Sequence, residues 1–126
     1  MDVHLILYVR DQDASSAFYA AVLGSSPTLN VPGMTEFALD AHVTLGLMPE
    51  SGIRRLLGPG LPDPATAWGV PRAELYLVVG DPADCLARAL RHGATPLSDL
   101  ELRSWGHAVA YVLDPDGHVV AFANRP

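Results

Sequence analysis

An apolar run near the start of the chain, His4-Leu5-Ile6-Leu7-Tyr8-Val9-Arg10-Asp11, closes on an aspartate. The same pattern returns as Glu74-Leu75-Tyr76-Leu77-Val78-Val79-Gly80-Asp81, which makes it an internal repeat. The segment after each aspartate repeats as well. Asp11 leads into Ala14, Phe18 and Val22 at helical spacing with Gly24 behind, and Asp81 leads into Pro82, Leu86 and Leu90 with Gly93 behind. An aspartate suits the N-cap, proline the first helical position and glycine the stop, so each strand predicts a helix after it. Shorter extended segments come next, near 27–29, 34–39 and 43–47 in the first half and near 95–97, 107–113 and 118–123 in the second. Asp114-Pro115-Asp116-Gly117 is a turn, because proline presets its backbone angle and glycine accepts a positive one.

The expected architecture is therefore α+β, two βαβββ modules at 1–48 and 73–126 within one domain. The Gly- and Pro-rich stretch 49–72 is read as linker and partial lid, with a short helix near 53–57. Period-2 alternation puts Leu5, Leu7 and Val9 on the helix side of the first strand and His4 and Tyr8 on the concave side. In the repeat, Leu75, Leu77 and Val79 take the helix side, leaving Glu74, Tyr76 and Val78 concave. His4 and Glu74 thus hold equivalent positions. An ionisable group on an apolar concavity needs a partner or a ligand, and the alternative is a hydrated residue near a strand end.

Composition narrows the function. At 126 residues, 49% hydrophobic and 17% charged, the chain has the profile of one compact folded domain. No apolar run approaches the ~20 residues of a membrane span. Met1-Asp2-Val3-His4 lacks the basic start of a signal peptide, so the cytoplasm is the expected location. The single cysteine, Cys85, excludes an internal disulfide and reads as core filling. A formal charge of −6, with every basic residue an arginine, argues against nucleic-acid binding. No phosphate loop or serine-nucleophile elbow occurs.

The strand ending in Val9-Arg10-Asp11, the subsequent Ala17-Phe18-Tyr19 with Val22-Leu23-Gly24, and the Asp114-Pro115-Asp116-Gly117-His118 turn together resemble the vicinal oxygen chelate superfamily, which includes glyoxalases, bleomycin-resistance proteins and extradiol dioxygenases. The resemblance spans nearly the whole chain. It implies paired βαβββ modules curling into an open, pseudo-twofold barrel around a ligand cavity, usually in a homodimer. Metal-dependent members take one ligand from the first and one from the last strand of each module. Carried over, the first-strand ligands fall on His4 and Glu74, while the last-strand positions fall on Leu45 and Ala121, which cannot bind a metal. Two donors are fewer than the roughly three that an open catalytic site uses. A Zn, Ni, Fe or Mn site then needs Glu36, His42, His107 or a partner chain to complete it.

The implied pocket is lined by His4, Tyr8, Glu36, Leu45, Glu74, Tyr76, Trp105 and Ala121. The leading expectation is a protein that binds or sequesters a small organic molecule without a metal cofactor. The competing one is a divalent-metal lyase, isomerase or dioxygenase, with His4 and Glu74 as ligands and Glu74 as general base. Trp68 and Trp105 either stack on a ligand or plug the barrel ends. Arg54-Arg55 reads as a carboxylate clamp or a solvated face. His42 and His118, read as repeat-equivalent, are expected in surface turns.

Overall fold

A computed structural model describes all residues, Met1–Pro126. The chain divides into two compact units. One comprises Met1–Ala20 with Gly24–Trp68, the other Ala21–Leu23 with Gly69–Pro126. The 49–68 stretch thus belongs with the first module, and the last turn of the first helix with the second.

In the first unit the elements run β1 (Val3–Val9), α1 (Gln12–Leu23), β2 (Leu29–Val31), β3 (Met34–Asp40) and β4 (Val43–Pro49), then α2 (Glu50–Leu57) and two short 3-10 turns. The sheet order is β1-β4-β3-β2, with β1 parallel to β4 and the other pairs antiparallel. The second unit repeats this with β5 (Glu74–Val78), α3 (Pro82–Arg91), β6 (Thr95–Leu102), β7 (Ala108–Leu113) and β8 (Val119–Asn124), in the order β5-β8-β7-β6. Both predicted βαβββ modules are present. The longest departures are β6, which continues to Leu102, and α2, which begins at Glu50.

The caps form as their residues dictate. Asp11 accepts from the Ala14 N–H at 3.0 Å and Asp81 from the Asp84 N–H at 3.1 Å, and Gly24 ends α1 in the left-handed conformation. A hydroxyl hub joins α1 to its sheet. Thr35 Oγ1 accepts from Gln12 Nε2 and Ser16 Oγ, both at 2.9 Å, and donates to Asn30 Oδ1 at 3.0 Å, which uses all its capacity. Beside it, Phe37, Leu45 and Leu47 are fully buried on the same face. In the second unit α3 packs on β6, β7 and β8, and Val112, Val120 and Phe122 are fully buried.

The Asp114–His118 turn is closed by two backbone hydrogen bonds and by one carboxylate oxygen. Asp114 Oδ1 accepts from the N–H groups of Asp116 at 2.9 Å and His118 at 2.8 Å. Gly117 has φ 87°, and a Cβ there would lie 2.6 Å from Gly69 Cα. Gly117→Ala therefore combines a strained backbone with a steric clash, and is expected to cost at least about 2 kcal/mol in urea unfolding. Gly80→Ala, which meets nothing within 4 Å, should change stability by less than about 0.5 kcal/mol. Equal effects of the two substitutions would contradict this reading of the turn.

Candidate functional site

The ladders decide which side chains share a face. In the first sheet Ile6 lies opposite Gly46 and Gly46 opposite Glu36, while His4 lies opposite Thr44. These positions, with Tyr8, Met34 and Met48, form the face away from α1. The missing side chain at Gly46 leaves room that Ile6 and Met34 occupy, since a Cβ there would stand 3.0 Å from Ile6 Cγ1 and 3.4 Å from Met34 Sδ. Across this patch His4 Nδ1 approaches Glu36 Oε2 at 3.3 Å. The alternation of Met34, Glu36 and Ala38 does not by itself say which way Glu36 points, and the ladder turns it toward His4.

Leu45 must be corrected. It pairs with Leu5 and Phe37, is fully buried, and faces the helix side, so it lines no part of the His4 face. Matching His42 to His118 caused the error. The ladders align Glu74 with Val119 and His4 with Thr44, so the counterpart of Ala121 is Gly46. The first hairpin is shorter and carries a register shift between Ala38 and Asp40, which displaces the count by one. A one-residue slip moves a side chain to the opposite face of a strand. Gly46 offers no metal ligand either.

In the second sheet Tyr76 and Tyr111 both lie opposite Ala121, and Glu74 and Val78 flank Tyr76 on the same face. Val109, Ala121 and Ala123 form a small buried floor beneath the two tyrosines. Around its rim runs a connected polar chain. Trp105 Nε1 donates to Tyr76 Oη at 3.0 Å, Tyr76 Oη lies 2.6 Å from His107 Nδ1, and Arg125 Nε donates toward His107 Nε2 at 3.4 Å. On the other side Arg103 sits over the Tyr111 ring at 5.3 Å. Its guanidinium donates to Ser98 Oγ and to the carbonyls of Asp99 and Val109, which ties it to the irregular register of β6. Tyr76 and Trp105 are thus brought together as one site. Sequence reasoning missed Tyr111 and Arg103. Alternation along 108–113 could have found Tyr111, but the bulges that aim Arg103 leave no periodic signal.

The remaining candidates have local partners. Arg10 lies over the Trp68 ring at 4.2 Å, and Arg54 pairs with Asp63. His42 pairs with Asp2 at the surface. His118 is half-buried, and its ring nitrogens lie with the carboxylates of Asp114 and Asp116 in a group whose ligand atoms fall within 4.8 Å of one another. That group is a candidate metal cluster, although Asp114 Oδ1 already accepts two backbone N–H groups. Of the family positions the first sheet supplies one donor, His4, and Glu36 on β3 faces it as a second candidate. Neither sheet alone supplies the usual three.

Burial, then the negative charge of Glu74, hold the Tyr111 hydroxyl above its ordinary value of 10.0, with Arg103 opposing. In the unfolded chain this tyrosine ionises first, so its contribution to stability is complete below pH ~10 and disappears as pH rises through the folded value. Tyr111→Phe should therefore flatten the loss of stability above pH 10 in thermal melts. An unchanged alkaline slope would contradict it.

The family model described as glyoxalase/bleomycin resistance protein/dioxygenase superfamily matches residues 3–122. No curated protein matches by sequence. Among solved structures, a glyoxalase-related enzyme from Fulvimarina pelagi is similar at TM-score 0.83 and 22% identity, covering 100% of this chain and 88% of its own. A glyoxalase/bleomycin resistance protein/dioxygenase family enzyme from Burkholderia phytofirmans PsJN gives TM-score 0.83 at 19% identity, with 100% of both chains covered. A protein from Agrobacterium tumefaciens gives 0.75 at 25%, covering 100% and 98%. With matching topology in both modules and a family match over almost its entire length, the chain belongs to the glyoxalase/bleomycin resistance protein/dioxygenase superfamily.

Proposed function

We propose that this chain binds a small organic molecule, in the manner of a sequestering or resistance protein, and that no metal ion takes part. The observation that carries the reading is the second sheet's face: the half-buried rings of Tyr76 and Tyr111, packed on the apolar cluster of Val109, Ala121 and Ala123, beside a few fixed polar groups. Such a surface orients a ligand through its polar groups while apolar contact supplies affinity. Trp105, 55% exposed, adds an indole ring able to stack on a planar or cationic ligand.

A second reading, divalent-metal chemistry, is favoured by one observation, the approach of Glu36 to His4. On that reading a lyase, isomerase or dioxygenase would use His4 and Glu36 as donors, and the metal would act as Lewis acid.

A homodimer acting in the cytoplasm fits both readings. Support comes from β1, an edge strand whose Leu5 and Ile6, on opposite faces, are 38% and 39% exposed.

Titrating metal-free protein with a panel of aromatic and cationic compounds should give a saturable change in tryptophan fluorescence. Trp105→Ala should weaken the best binder about tenfold, roughly 1.4 kcal/mol. A panel without any saturable response would overturn the binding reading. Elemental analysis separates the two readings. Near-stoichiometric Zn, Ni, Fe or Mn that is lost in both His4→Ala and Glu36→Gln would favour the metal enzyme.

A further inference from the structure

We infer that the Tyr76 hydroxyl is a hydrogen-bond donor kept available for a ligand, and that the ligand is a planar organic molecule presenting a carbonyl or carboxylate oxygen. The inference rests on the small-molecule reading above and adds the chemistry of what is bound. It follows from the direction of protons along one chain of contacts. Both ends of that chain can only donate: the Trp105 indole N–H at one end and the Arg125 Nε–H at the other. Arg125 aims its hydrogen at His107 Nε2, so that nitrogen is the acceptor and the ring proton resides on Nδ1. His107 Nδ1–H then donates to Tyr76 Oη across 2.6 Å. Tyr76 Oη already accepts the Trp105 N–H at 3.0 Å, so both acceptor positions of the oxygen are occupied.

The phenolic hydrogen is left without an acceptor in its own surroundings. With His107 and Trp105 occupying two directions around the oxygen, the remaining direction is left for an acceptor from outside this chain of contacts. The opposite arrangement, Tyr76 donating to Nδ1, would put a hydrogen on Nε2 facing the Arg125 Nε–H, which is repulsive. A doubly protonated His107 meets the same repulsion, and still donates from Nδ1. An acceptor oxygen on the ligand completes the chain, and the guanidinium of Arg125 strengthens it by holding positive charge at the far end. The Trp105 ring, tethered to the same hydroxyl, offers its face to the planar body that carries the oxygen.

The first test uses the native protein. Long-range proton–nitrogen NMR of His107 should show Nδ1 protonated and Nε2 as the unprotonated acceptor. Finding Nδ1 unprotonated overturns the inference, because Tyr76 would then be donating to it. The second test tracks the Trp105 indole N–H resonance during titration with benzoate, acetophenone and benzylamine. Wild type should respond saturably to benzoate, acetophenone or both, which tells a carboxylate from a carbonyl. Tyr76→Phe should weaken that binding about tenfold or more. Equal affinity of benzoate and acetophenone for wild type and Tyr76→Phe overturns this inference alone. Silence from all three probes, joined by silence across the wider panel, removes the binding reading and this inference with it.

Discussion

In each module the first strand lies parallel beside the last, and that pairing governs everything placed on the sheets. A parallel neighbour cannot be reached by a tight turn, so a crossover must separate the two strands, and the crossover here contains a helix. The helix packs on one face, and period-2 alternation then sets which side chains of each strand turn toward it and which away. Leu45, Leu47 and Phe37 are buried by this rule, as are Val112, Val120 and Phe122. The faces turned away from the helices carry His4, Glu36 and Tyr8 in one sheet and Glu74, Tyr76 and Tyr111 in the other.

The two faces have diverged in chemistry while keeping one topology. The first pairs an imidazole with a carboxylate over a glycine whose space is filled by Ile6 and Met34. The second surrounds an alanine with two tyrosines, an indole and two guanidinium groups. The glycine and the alanine occupy equivalent ladder positions, and these are places where metal-binding relatives would carry a ligand on the resemblance drawn from the sequence. Small residues there offer no metal ligand and pack as apolar groups. The rim of the second face is cross-linked through Arg103, which bonds to Ser98, Asp99, Glu101 and Val109 around the bulges of β6. Fixed donors around an apolar floor favour recognition of one ligand orientation over many.

Much of this was legible from residues alone. The repeat from His4 to Glu74, the capping aspartates and the Asp-Pro-Asp-Gly turn read directly into two βαβββ units, because each is a local signal with a local cause. Leu45 shows where such reading stops. Counting across a hairpin assumes equal turns, and the shorter turn with a shift near Asp40 moved the position by one and turned it over. Glu36 was undecided for a related reason, since a strand between two others shows no preference until its register is known. His107 was noticed as a titratable group but not as the partner of Tyr76, because their contact joins residues separated by 31 positions. Arg103 was invisible, as its direction depends on backbone irregularity rather than on spacing.

The register of the two parallel pairs can be measured directly by interstrand nuclear Overhauser effects. The faces described above require contacts that place Ile6 beside Gly46 and Tyr76 beside Ala121. Contacts placing Ile6 beside Leu45, or Tyr76 beside Val120, would turn His4 or Tyr76 into the helix-covered face and contradict that division of the sheets.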